Sequence, residues 1–141
     1  MFTSMRNGSG RSGSAPAPGT ILFVEDLREE REIAIGALRA HGYVVEGAAD
    51  GGQAVRQASK RTFDVVIMDL TMPNIDGIEA IRRIRANGGS KRPHVIVLSG
   101  LMDARTRQLA FEAGCDQYMI KPVELHDLHA AVRTYFTKRD G

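Results

Sequence analysis

Residues 65–73 read Val65-Val66-Ile67-Met68-Asp69-Leu70-Thr71-Met72-Pro73, four apolar residues running without a break into a single aspartate. Unbroken rather than alternating apolarity is the pattern of a strand buried on both faces, as the strands of parallel sheets are. Ile21-Leu22-Phe23-Val24, Val95-Ile96-Val97-Leu98 and Tyr118-Met119-Ile120 repeat it, and Tyr43-Val44-Val45 is a weaker fifth copy, as an edge strand would be. Between these runs the apolar residues change to helical spacing: Ile33, Ala34, Ala37 and Leu38; Ala54, Val55 and Ala58; Ile78, Ile81 and Ile84; Ala104, Leu109 and Ala110; Leu125, Leu128, Val132 and Phe136. Gly42, Gly88 and Gly114 stand where helix C-caps are expected, each a few residues before the next strand. Five strand-and-helix pairs in strict alternation predict an α/β fold. It is a five-stranded parallel sheet wound on both sides into a three-layer (βα)5 sandwich, because parallel strands need crossover helices and those crossovers are right-handed.

The 141 residues, 43% hydrophobic and 26% charged, suffice for one domain with its own core. Twelve of the first 19 residues are Gly, Ser, Pro or Ala and only Arg6 and Arg11 are charged, too little apolar surface to offset ordering entropy. The expected division is therefore a disordered leader or linker over 1–19, the domain over 20–138 and a short tail over 139–141. The formal charge of +2 belongs entirely to that leader, since the rest holds 17 Lys plus Arg against 17 Asp plus Glu. No basic cluster with interleaved aromatics points to nucleic acid. One cysteine, Cys115, rules out an intramolecular disulfide and thiolate zinc sites, and it reads as a small packing residue in a reducing compartment. No apolar run reaches the roughly 20 residues of a membrane span, and no secretory signal is legible, so the expected location is cytoplasmic.

The chemistry sits where the runs end. Glu25-Asp26 follows the first run, Asp69 the third, Ser99 the fourth and Lys121-Pro122 the fifth. Open α/β sheets bind ligands beyond the carboxyl ends of their strands, so these residues converge although about 100 positions separate them. Taken singly, each has a plainer explanation: Glu25, Asp26 and Ser99 as helix caps, Asp69 as a turn former, Lys121 as a surface lysine. Their joint placement at four strand ends favours a site. Crowded carboxylates raise one another's pKa values unless a cation intervenes, and Mg²⁺ suits an open site with few carboxylates, waters and a phosphate oxygen. Asp26 and Asp69 are the expected direct ligands, with a backbone carbonyl near Thr71 as a third and Glu25 acting through water. Asp69 is also the expected nucleophile toward phosphorus, Lys121 a point charge on a phosphoryl oxygen, and Ser99 a hydrogen-bond donor to another. Gly100 leaves room beside them.

Together Ile21-Leu22-Phe23-Val24-Glu25-Asp26, Val65 through Pro73 with Asp76-Gly77, Leu98-Ser99-Gly100 and Tyr118-Met119-Ile120-Lys121-Pro122 resemble the signatures of response regulator receiver domains, over roughly residues 20–138. The resemblance implies the flavodoxin-like strand order 2-1-3-4-5. It further implies Asp69 as phosphoacceptor, Glu25 and Asp26 as the acidic pocket, Ser99 and Tyr118 as switch positions, Lys121 as the phosphate-contacting lysine and a cis bond at Lys121-Pro122. The implied partners are a histidine kinase or histidine phosphotransfer protein, then a downstream protein bound through the fourth helix, fifth strand and fifth helix, roughly 101–137. The resemblance also allows a phosphorylation-dependent homodimer through the last helix and strand region, though no residue here demands one. The chain departs mildly from the pattern, with Glu25 for the commoner Asp, Ser99 for the frequent Thr, and Thr71 at a position that tunes phosphate lifetime.

The expected function is a stand-alone phosphorelay regulator that phosphorylates and dephosphorylates itself without turning over external substrates. The alternative is a receiver from a hybrid kinase or larger regulator. An aspartate-based phosphatase would want a second Asp where Thr71 stands, and a flavin binder a phosphate-cradling loop where Glu25-Asp26 stands. The complete acidic set argues against an unphosphorylated scaffold. His126 and His129 read as solvent-facing, and His41 as compensating a helix dipole.

Overall fold

The structure, a computed structural model, describes residues 19–70, 75–87 and 92–140, with the side chains of 75 and 76 excepted. The elements alternate without exception: β1 Thr20–Val24, α1 Arg28–Ala40, β2 Val44–Ala48, α2 Gly51–Lys60, β3 Val65–Leu70, α3 Ile75–Ala86, β4 His94–Ser99, α4 Ala104–Ala113, β5 Gln117–Ile120 and α5 Leu125–Asp140. All strand pairs are parallel and the order is β2-β1-β3-β4-β5, as the sequence pattern and the family resemblance led us to expect.

Strand periodicity divides the core in two. Leu22, Val24, Val66, Met68, Val95 and Val97 face one side, where Ala54 of α2, Ile78, Ile81 and Ile84 of α3 and Ala110 of α4 pack on them. Ile21, Phe23, Val65, Ile67, Ile96 and Leu98 face the other, under Ala34, Ile35 and Leu38 of α1 and Leu128, Val132 and Phe136 of α5. Both faces are covered, which is why these strands carry no polar alternation. The edge strand β2 runs 44–48 rather than 43–45, with Tyr43 left outside it to stack on Phe136, ring centroids 5.5 Å apart.

Helix ends account for two of the three glycines. Gly114 caps α4 at φ +118° and Gly42 follows α1 at φ +95°, both in the left-handed region that side chains avoid. Gly88 lies outside the described residues. Asp50 and Asp103 cap α2 and α4, their carboxylates accepting from Gln53 N at 2.8 Å and Thr106 N at 2.9 Å. The last helix departs from expectation. It runs through Asp140, and Arg139 Nη1 donates to Asp64 Oδ1 at 2.9 Å, so residues 139 and 140 belong to the fold and not to a tail.

Candidate functional site

β1, β3, β4 and β5 end at one rim, and the parallel register sets what meets there. Val24 is level with Met68, and Asp69 with Leu98, so Glu25 and Asp69 lie one step past adjacent rungs. Asp69 and Ser99 are within their strands, not beyond them, because β3–β4 pairing continues through Leu70↔Ser99. Lys121, just after β5, donates its backbone N–H to Ser99 O at 2.8 Å and follows Ile120, which pairs with Ser99. Its ammonium forms an ion pair with Asp69 Oδ1. The Lys121-Pro122 peptide is cis.

The acidic side chains are not spent on capping. The N-cap of α1 is Leu27, with no side-chain hydrogen bond to the helix start. Glu25 is 1% exposed. Its Oε2 accepts from Leu27 N at 2.9 Å while Oε1 is buried without a hydrogen-bond partner. Burial, reinforced by the Asp69 carboxylate beside it, pushes the Glu25 carboxyl up to about 9. The Arg31 guanidinium, which could have neutralised it, donates instead to the Glu25 backbone carbonyl at 2.8 Å.

Two openings flank the Glu25–Asp69 pair. One, of about 180 Å³, is lined by Glu25, Asp26, Asp50, Met68, Asp69 and Gly77. The other, of about 290 Å³, has Glu30 and Lys121 in its wall with Glu25 and Asp69. One oxygen each from Glu25, Glu30 and Asp69 lie within 4.8 Å of one another. Glu25, Asp26, Asp69 and Lys121 are thus brought together, with Asp26 exposed at the rim. Glu30 is an addition the sequence reading missed. Glu30 stands four residues before Ala34 on the stripe that continues to Ala37 and Leu38, a spacing that does not by itself separate a site residue from a first-turn glutamate. Thr71 lies outside the described residues, as does the Asp76 side chain.

Ser99 is fully buried, and its Oγ accepts from Leu101 N at 3.0 Å. Tyr118, also buried, donates its hydroxyl to Leu101 O at 2.9 Å. Its ring lies 6.5 Å from the Phe111 ring, with the Arg107 guanidinium 5.5 Å above it. Both expected switch residues therefore hold the same loop residue. Elsewhere, Cys115 is buried, which pushes its thiol up to about 11, as befits a packing residue. His126 is exposed, but His129 is not simply solvent-facing, because its ring stacks on His41 at 3.5 Å.

The rim of an open parallel sheet thus carries a buried aspartate with a lysine against it and further carboxylates alongside. The response regulator receiver domain family matches residues 21–133, and the chain belongs to that family. The response regulator MprA of a Mycobacterium species is 35% identical over 116 residues, covering 82% of this chain and 50% of that protein. The chain thus spans about half the length of the curated relatives it matches. Among solved structures, the chemotaxis protein CheY4 of Vibrio cholerae superposes with a TM-score of 0.76 at 29% identity, covering 84% of this chain and 98% of that one. The receiver domain of a sensor histidine kinase from Pseudomonas aeruginosa, with magnesium coordinated in its active-site cleft, gives 0.73 at 34% identity, covering 84% and 97%. Among the described residues no helix is long and apolar enough to cross a membrane.

Proposed function

We propose that Asp69 accepts a phosphoryl group from a histidine kinase or histidine phosphotransfer protein, and that the acyl phosphate resets the α4-β5-α5 face for a downstream protein. The observation that carries this reading is Asp69 itself, a buried carboxylate held on a central strand against Lys121 and lining the two openings at the rim. The donor set fits Mg²⁺: every candidate ligand is a hard oxygen, and Glu25 Oε1 is a buried acceptor with no partner of its own. Asp26 and Asp69 would bind the ion directly, a carbonyl near Thr71 would complete the set and Glu25 would act through water; the Pseudomonas relative holds a magnesium ion in its active-site cleft. When bound, the ion offsets charge that builds on the transferring group.

The protein's own groups do the rest. An Asp69 oxygen attacks phosphorus, the bond to the donor nitrogen breaks, and the electron pair leaves with the imidazole. Lys121 exchanges part of its contact with Asp69 for a phosphoryl oxygen. Ser99 turns its hydroxyl to another, releasing Leu101 N and freeing the loop that Tyr118 also holds. The domain acts on its own aspartate and carries residues 20–140 as its folded unit. The same chemistry serves a stand-alone regulator, the reading we favour, and a receiver within a longer kinase; the size of the native polypeptide on an immunoblot separates them. A cytoplasmic site of action follows from the kinase partner.

The direct test is incubation with phosphoramidate and Mg²⁺ followed by intact mass. Wild type should gain about 80 Da and Asp69→Ala none. An unchanged wild-type mass, or labelling that survives in Asp69→Ala, would sink the assignment.

A further inference from the structure

The opening on the α1 side of Asp69 is lined chiefly by apolar side chains, and its charged groups are Glu25, Glu30, Asp69 and Lys121. Lys121 is engaged with Asp69. The cations nearest Glu30 in sequence are committed elsewhere, Arg28 to Glu32 at 2.9 Å and Arg31 to the Glu25 carbonyl. Among the described residues no hydrogen bond or ion pair engages the Glu30 side chain, although one of its oxygens comes within 4.8 Å of those of the buried pair. Behind it, Glu25 Oε1 is buried without a hydrogen-bond partner, and among the described residues Lys121, already paired with Asp69, is the one cation that lines this opening. A donor must approach from the open side, because the bond that breaks lies opposite the attacking oxygen. Asp69 lines both openings, but Lys121, the group that would hold a phosphoryl oxygen, lines only the one that Glu30 borders.

We propose that Glu30 selects the phosphoryl donor, favouring donors whose leaving group is a protonated nitrogen over donors whose leaving group is an anionic oxygen. The proposal rests on Asp69 being the acceptor, and it has the donor enter by the opening that Lys121 and Glu30 line. With phosphoramidate the Asp69 O–P bond forms and the P–N bond breaks, and the pair stays on a nitrogen that already carries its protons and departs as ammonia. With acetyl phosphate the P–O bond breaks and the pair departs on acetate, a carboxylate meeting the Glu30 carboxylate. One favours the charge at residue 30 and the other opposes it. A phosphohistidine donor is of the first kind when its second ring nitrogen is protonated, since the imidazole then departs neutral.

The test compares labelling rates with phosphoramidate and with acetyl phosphate, at equal Mg²⁺, for wild type, Glu30→Gln and Glu29→Gln, the last an exposed residue of the same helical turn outside the opening. Glu30→Gln should slow labelling by phosphoramidate and speed labelling by acetyl phosphate. The ratio of the two rates should move roughly tenfold, less at high salt, while Glu29→Gln leaves it unchanged. Equal changes with both donors, or an unmoved ratio, would overturn the proposal. A loss of Mg²⁺ affinity in Glu30→Gln with both rates lowered together would make Glu30 part of the cation site, and overturns it too. Wild type that gains no mass from either donor removes the acceptor reading and this proposal with it.

Discussion

Glu25 shows how one buried carboxyl ties stability to cation binding. Its folded-state pKa of about 9 lies above the ordinary 4.5, with burial the first cause and Asp69 the next. A raised carboxyl pKa favours folding most fully below about pH 4.5, and that contribution drains away as pH rises toward 9. Without divalent cation, thermal stability should therefore fall across that window, and Glu25→Gln, which keeps the shape and cannot ionise, should flatten the slope. Mg²⁺ should restore more stability at pH 8 than at pH 6, since it favours the charged form. Melting curves at several pH values with and without Mg²⁺ check both, and a Mg²⁺ effect independent of pH would contradict the assignment. Lys121 offers a kinetic counterpart. Lys121→Ala leaves Asp69 without its counter-charge and should slow phosphoramidate labelling by about 10²-fold or more, read by intact mass over time. These residues were legible in the sequence because each ends an apolar run. Glu30 was not, because a first-turn glutamate is also what a helix dipole favours, and only the packing of α1 on the sheet tells the two uses apart.

At the scale of elements, the β4–α4 connection and α4 are held by few contacts, each traceable. Leu101 is gripped through its N–H by Ser99 and through its carbonyl by Tyr118, so a change at Ser99 reaches Tyr118 through one residue. Tyr118→Phe keeps the ring and removes the hydroxyl, and should cost about 1 kcal/mol in urea denaturation while leaving Asp69 labelling intact. Hydrogen exchange over 101–113 should then respond less to phosphorylation than in wild type; an identical response would show that the hydroxyl carries no coupling. The other end of α4 is fixed by Arg85 of α3, which donates to Gly114 O at 2.7 and 3.0 Å, to Pro93 O at 2.6 Å and to Asp116 at 2.7 Å. Arg85 reads in sequence as one more charge on an exposed helical face. Its side chain is only 14% exposed, and nothing local in the chain foretells a reach of 29 residues to Gly114. Arg85→Ala should therefore destabilise by about 3 kcal/mol, far more than Arg83→Ala, whose ion pair with Glu79 is exposed. Comparable midpoints for the two variants would refute this ranking.

For the molecule as a whole, periodicity carried the alternation: unbroken apolar runs pointed to strands covered on both sides with helices between them, and the family resemblance supplied the strand order. What periodicity could not supply was closure, meaning which distant groups pin the first strand and the last helix to the sheet. Asp64, just before β3, does this. Its Oδ2 accepts from Thr20 N at 2.8 Å and Thr20 Oγ1 at 3.0 Å, fixing the start of β1, while its Oδ1 accepts from Arg139 at the end of α5. The Arg139 guanidinium also lies 4.7 Å over the Phe136 ring, which itself packs against Gly19. The contacts join residues as far apart as 75 positions, and a polar C-terminal stretch gives no hint of them. Ending the chain at Lys138, where composition alone suggests that a tail begins, would remove the arginine from a carboxylate that is 8% exposed on its side chain. Because Arg139 is itself partly exposed and Asp64 keeps its Thr20 donors, the loss should be modest, about 1 kcal/mol or a fall of ~4 °C in Tm. Arg139→Ala in the full chain should reproduce most of that fall, whereas Asp140→Ala should reproduce little. If truncation at Lys138 left Tm unchanged, α5 would be secured by Leu128, Val132 and Phe136 alone and the polar clamp would be incidental.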